Sequence, residues 1–183
     1  YKPMGYPDGI YRVGPLARVN VAEACGTPRA DEELKKFRWR VGRVASSSFH
    51  QHYARLIDLL HCVEKIEQIL NKPEIMSKHV TATAGINRNE GIGCSEAPRG
   101  TLMHHYKVDD NGLVEWANLV IATGHNNMAM NRSVAQVAKQ YVKADKLEEP
   151  MLNRVEAVIR SYDPCLSCST HSLGDMALDI QLL

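Results

Sequence analysis

From about Asp31 to Leu70, apolar residues recur at three- and four-residue steps: Tyr53, Leu56, Ile57, Leu60, Val63, Ile66 and the pair Ile69–Leu70. That spacing lays an apolar stripe along a helix. Pro28 and Asp31 supply start signals and Asn71-Lys72-Pro73 a stop, while Ser46 to Ser48 mark a break that divides the pattern into two helices. The stretch before it, Tyr1 to Gly26, is rich in Gly and Pro and predicts loops around short extended pieces. Between Thr81 and Trp116 the period changes, with Gly85, Gly91, Gly93 and Gly100 punctuating short segments. Thr101 to Val108 reads as a strand, and Asp109-Asp110-Asn111-Gly112 turns it into Leu113-Val114-Glu115-Trp116, a hairpin. The apolar run Leu119 to Ala122, between Asn118 and Thr123, reads as a buried strand or helix segment. Two further helices are predicted near 133–142 and 150–159. The expected fold is mainly α with a small antiparallel β-sheet, a single domain over 1–183 without repeats or linkers.

Charge narrows the function classes. The 183 residues, enough to bury a core, carry 22 basic and 21 acidic side chains for a net charge of +1. Phosphate binding needs clustered positive charge, so no nucleic-acid partner is expected. The densest basic run, Lys35, Lys36, Arg38 and Arg40, follows Asp31, Glu32 and Glu33 and reads as a solvated helix face. No stretch approaches the ~20 apolar residues of a membrane span, and nothing resembles a signal peptide, so a cytoplasmic location is expected. The five cysteines, Cys25, Cys62, Cys94, Cys165 and Cys168, fit reduced thiols better than a disulfide framework. The opening Tyr1-Lys2-Pro3-Met4, without an initiator methionine, points to a fragment of a longer protein.

Candidate chemistry sits in Asp163-Pro-Cys-Leu-Ser-Cys-Ser-Thr-His171. Two cysteines three residues apart can turn both sulfurs toward one ion, and thiolates favour soft or borderline metals. His171, three residues further on, adds an imidazole, and Pro164 ends helical hydrogen bonding ahead of the pair. The spacing alone leaves several readings open: a metal site, half a structural zinc site, a redox pair, or two buried thiols. Cys25, Cys62 and Cys94 have no ligand spacing and read as buried small side chains, the methionines as core filler.

The whole nine-residue motif resembles the C-terminal metal motif of nickel–iron hydrogenase large subunits. Three more segments resemble the same family in the same order: Tyr11-Arg-Val-Gly-Pro-Leu-Ala-Arg18, Glu96-Ala-Pro-Arg-Gly-Thr-Leu-Met-His-His105 and Asn118-Leu-Val-Ile-Ala-Thr-Gly124. Met103 to Val108 and Met151 to Arg160 look like the bidirectional, NAD-linked type. The resemblance implies the C-terminal portion of the large-subunit fold and an enzyme that reversibly splits dihydrogen into protons and electrons, passing the electrons to NAD.

Carried over residue by residue, the resemblance implies that Cys165 is a terminal nickel ligand and the base that takes the proton. Cys168 would bridge nickel and an iron bearing cyanide and carbon monoxide. His171 would hold a separate ion, usually magnesium, although imidazole is an unusual magnesium ligand on hardness grounds. Arg99 matches an arginine above the metals, where a planar, always charged guanidinium suits a positioning and electrostatic role. Pro98 would line the pocket for the diatomic ligands, and Thr123 would offer one of them a hydroxyl. The implied partners are an iron–sulfur small subunit, flavin-containing diaphorase subunits and a maturation endopeptidase.

Two departures qualify this. The family's second Cys-x-x-Cys pair is absent, so this polypeptide alone is expected to be inactive. Ser172 to Leu183 resembles an extension removed after nickel insertion, with a cut expected between His171 and Ser172. Other readings are a hydrogenase using a deazaflavin or dye acceptor, a hydrogenase-like module without catalysis, and a zinc-stabilised binding domain.

Overall fold

The structure, a computed structural model, describes residues 1–83, 85, 87–143 and 147–165. After a single 3-10 turn at Lys2–Met4 come α1 (Pro15–Val21), α2 (Pro28–Val41), α3 (His50–Leu70) and a second 3-10 turn at Pro73–Met76. Then follow β1 (Glu90–Ala97), β2 (Gly100–Val108), β3 (Val114–Val120), α4 (Ala122–Tyr141) and α5 (Glu149–Tyr162). The strands form one antiparallel sheet in the order β1-β2-β3. The mainly α fold with a small antiparallel sheet is therefore as expected.

The first core joins α1, α2 and α3 through Leu16, Val19, Ala30, Leu34, Phe37, Ala54 and Ile57, with Ala45 from the connecting loop. Ala30, Leu34 and Phe37 fall at helical steps on one face of α2, which is why that face turns inward. Helix ends are satisfied across elements. The Glu64 carboxylate accepts the backbone N–H groups of Arg29 and Ala30 at 3.0 Å each, placing negative charge at the N-terminus of α2. A second, smaller core packs α4 on α5 through Ala129, Val158 and Tyr162.

The break at Ser46–Ser48 and the stop at Asn71 stand where the pattern put them. Elsewhere tertiary structure overrides it. Tyr1–Gly26 holds helix α1, seven residues long and too short for its Leu16–Val19 step to stand out. Strand β1 is disguised by Gly91 and Gly93, and pairing with β2 makes it a strand. Helix α4 begins at Ala122 rather than near 133, because Gly124, Asn126 and Asn127 dilute its apolar period. Leu119 is 45% exposed near the end of β3, so only the second half of that apolar run is internal.

Lys36 pairs with Glu32 and Glu33 on a solvated face, as expected. Arg38 does not follow that reading. It turns inward and donates to the carbonyls of Val19, Ala22 and Glu23, capping the C-terminus of α1. Cys25 is half-buried, whereas Cys62 and Cys94 are exposed, contrary to the expectation that all three pack inside. No helix among the described residues is long and apolar enough to cross a membrane.

Candidate metal centre

Helix α5 ends with Asp163 in the left-handed conformation, φ 52° and ψ 52°, and the αL turn sends Pro164 and Cys165 back toward the molecule. Asp is one of the few side chains that tolerates this backbone. Two arginines grip the turn. Arg99 Nε donates to the Asp163 carbonyl at 2.6 Å and lies 3.3 Å from its carboxylate. Arg55, on α3, donates to the Ser161 carbonyl at 3.2 Å and lies 3.9 Å from the same carboxylate. Two residues after Asp163, the Cys165 N–H donates to Thr123 Oγ1 at 3.3 Å. Thr123 is 3% exposed in the first turn of α4. Its hydroxyl accepts this bond and keeps its own proton to donate.

Arg99 and Pro98 form the two-residue turn between β1 and β2, where Ala97 pairs with Gly100. The segment entering α1 lies directly against this turn. A Cβ on Gly14 would stand 2.6 Å from the Arg99 carbonyl oxygen, and one on Gly100 only 2.3 Å from Val13 Cγ2. Both glycines also have positive φ, 98° and 142°, so backbone proximity and conformation alike exclude a side chain.

Arg18 of α1 locks the turn from the other side. It donates to Glu96 Oε1 at 2.7 Å and to the carbonyls of Ala97 and Pro98 at 3.1 and 3.0 Å, while its Nε and Nη2 hold Asp58 of α3. Burial works against the Arg18 charge, but the hydrogen bond and attraction of Asp58, then those of Glu96, leave its pKa above the ordinary value. The N-terminus of α4 is tied to the same segment. Asn126 Oδ1 accepts the Val13 N–H at 2.9 Å, and His125 Nδ1 shares a 2.5 Å hydrogen bond with Tyr11. Burial pushes the His125 imidazole below its ordinary pKa, against the opposing pull of Glu96, which favours the neutral ring.

Of the residues the sequence singled out, the structure thus links Arg99, Thr123 and Cys165 through Asp163. Pro98 is positioned by its carbonyl bond to Arg18. Cys168 and His171 lie outside the described residues. Arg55, Asp58, Asn126 and Asp163 hold the candidate site together and were not singled out from the sequence. Asp163 alone left a local signal, an Asp between a helix and a proline; the others act through partners 40 to 113 residues away. His104 and His105 point to opposite faces of β2, the first bonded to Tyr106 at 3.0 Å and the second to Glu90 at 2.7 Å. Both have local partners.

The donor chemistry fits part of a soft-metal site. Cys165 is a half-buried cysteine on a pinned backbone, and a thiolate there suits nickel or iron. No group of three or more His, Cys, Asp or Glu that could hold a metal exists among the described residues, so a metal bound at Cys165 would need ligands from elsewhere.

Residues 2–171 match the family described as nickel-dependent hydrogenase. The beta subunit of the NAD-reducing hydrogenase HoxS from Cupriavidus necator is 43% identical over 99% of this chain and 38% of its own length. The matching polypeptide of the F420-non-reducing hydrogenase vhc from Methanococcus voltae is 44% identical over 95% and 37%. A solved NAD+-reducing NiFe-hydrogenase in its H2-reduced state superposes with a TM-score of 0.85 at 43% identity, covering 93% of this chain and 38% of that one. The Ni-Fe-Se hydrogenase of Desulfomicrobium baculatum, in a reduced, active form, gives 0.59 at 26% identity, covering 91% and 36%. The chain therefore spans a little over a third of the length of these relatives. It belongs to the nickel-dependent hydrogenase family.

Proposed function

We propose that this chain is the C-terminal, metal-holding part of the large subunit of a nickel–iron hydrogenase that cleaves dihydrogen reversibly and heterolytically. The observation that carries the reading is the linkage of Cys165, Thr123 and Arg99 around the left-handed turn at Asp163. In this reading Cys165 would hold nickel, Cys168 would hold nickel and iron, and His171 would hold magnesium. The iron would carry cyanide and carbon monoxide, and the remaining thiolates would come from the longer protein. The bound metals would supply the Lewis-acid and redox chemistry of hydrogen cleavage.

The chain's own residues then do the following. The Cys165 sulfur, which coordination would keep ionised, would retain a lone pair able to take one proton. Arg99 brings a permanent positive charge beside the metal-holding turn, which suits it to anionic iron ligands and to polarising an incoming molecule. Asp163 keeps that guanidinium in place, and Arg55 helps to hold the turn that carries Asp163. Thr123 holds the Cys165 backbone and offers its proton, and Pro98 lines the pocket for the diatomic ligands. The two electrons leave through an iron–sulfur small subunit, then through flavin-containing diaphorase subunits to NAD, a reading supported by the likeness to NAD-reducing enzymes. The cytoplasm, where NAD is available, is the matching location. A maturation endopeptidase would cut after His171 and remove 172–183.

The test uses the full-length large subunit in its complex, purified without oxygen. Nickel, with iron in excess of it because the partner subunits carry iron–sulfur clusters, and NAD-dependent hydrogen uptake are expected, and Cys165→Ser should lose both nickel and activity. Zinc in place of nickel, or an active Cys165→Ser enzyme, would overturn the reading. Activity with a dye or deazaflavin but not with NAD would move the acceptor assignment alone.

A further inference from the structure

Helix α3 has two apolar faces, and the described structure fills only one. Ala54 and Ile57, with half-buried Leu60, pack into the core shared with α1 and α2. A second row, Leu56, Leu59, Val63, Ile66 and Leu70, is 64, 60, 55, 56 and 64% exposed. Its steps alternate between three and four residues, a 3.5-residue repeat with no charged position, which is the pattern of a helix–helix seam. A helix apolar on both sides is an interior helix. The row spans about 21 Å, enough for roughly four turns of a partner.

We propose that this row packs lengthwise against a helix of the same polypeptide, contributed by the part of the large subunit that the relatives carry outside the region matched here. The chain covers 38% of one chain of the solved NAD+-reducing enzyme at a TM-score of 0.85, so the greater part of that polypeptide lies outside the matched region and is available to cover the row. The seam also has a consequence for the metal-holding turn. Arg55 and Asp58, interleaved with the row, reach Asp163 and Arg18 from the flank of α3. A helix seated on the row fixes the element that anchors both arginine clamps. The inference rests on the reading that the longer protein is a hydrogenase large subunit, and its test does not depend on activity.

The test places the photo-crosslinker p-benzoylphenylalanine at Val63 in the full-length large subunit within its complex, followed by proteolysis and mass spectrometry. A crosslink to one segment of the same polypeptide, carrying apolar residues at three- and four-residue steps, is expected. The same probe at exposed Lys65, off the row, should give at least tenfold less of that product. Crosslinks to another subunit, to a second copy, or to no protein at all would overturn the inference. Nickel content and hydrogen uptake of the same preparation report separately on the hydrogenase reading.

Discussion

Arg99 and Asp163 meet twice: the guanidinium Nε donates to the Asp163 carbonyl at 2.6 Å and lies 3.3 Å from its carboxylate. The turn between β1 and β2 and the turn after α5 are 64 residues apart in sequence, yet this contact makes them one unit. The positive charge proposed to act beside the metals is thus set by the backbone that leads to Cys165.

Asp163 carries two separable properties, its carboxylate and its left-handed backbone. Asp163→Asn keeps the backbone, because Asn tolerates positive φ, and removes only partly exposed ion pairs worth about 0–1 kcal/mol. Asp163→Val forces a β-branched residue to φ 52° and should cost about 1–3 kcal/mol more. Thermal unfolding of the full-length subunit should rank wild type, Asn, Val, in falling order. Hydrogen uptake should fall in both variants, since Arg99 loses an anchor in each. Equal stability of the two would refute the role assigned to the turn.

Gly14 is a site where one methyl group should disturb the centre from outside it. Gly14→Ala places a Cβ 2.6 Å from the Arg99 carbonyl oxygen at a φ of 98°. Gly26→Ala has a similar φ, 87°, but open space around the new atom. Backbone strain alone predicts about 1 kcal/mol for the second, while strain plus overlap predicts about 2–4 kcal/mol for the first. Hydrogen uptake should drop in Gly14→Ala and stay near wild type in Gly26→Ala. If the two variants behave alike in both assays, the close packing on Arg99 has no functional weight.

These positions also show what could be read from the chain beforehand. The paired helices α2 and α3 and the β2–β3 hairpin were visible because periodicity and turn chemistry are local. Strand β1 was not, since its two glycines speak against a strand and only pairing with β2 overrides them. The nine-residue motif led to Cys165, and family likeness to Arg99 and Thr123. What holds these together was hidden. Arg18 reaches Asp58 and the 96–98 backbone, and Asn126 reaches Val13, through contacts that no spacing rule contains. Arg38 shows the reverse error: a run of charges suggested a solvated face, but one member was needed to cap another helix.

Thr123 separates hydroxyl chemistry from volume. Thr123→Val keeps the shape and leaves the Cys165 N–H without its acceptor, which should cost about 1–3 kcal/mol at this partly buried site. Thr123→Ser restores the oxygen and should recover most of the stability. Nickel content should be similar in all three proteins, with hydrogen uptake lowest in Val. A fully active Thr123→Val enzyme would show that neither the tether nor the hydroxyl proton matters.

His125 should give the protein a pH-dependent stability that one substitution removes. Burial lowers its pKa in the folded state, with only Glu96 pulling the other way. In the unfolded chain the imidazole titrates near its ordinary value of 6.5. Above that pH both states hold a neutral ring, so this stability contribution is fully present. As pH falls through about 6.5, the unfolded chain binds the proton that the folded one resists, and the contribution shrinks until the lower folded pKa is passed. His125→Gln cannot titrate, so its unfolding midpoint should lose this downward slope between about pH 7 and pH 5.5. The variant also weakens the tie to Tyr11, which lowers the midpoint at every pH. Comparing slopes rather than absolute midpoints separates the two effects. An unchanged slope in His125→Gln would mean that other groups govern the acid sensitivity, and that the neutral ring beside Tyr11 is not what links the N-terminus of α4 to proton concentration.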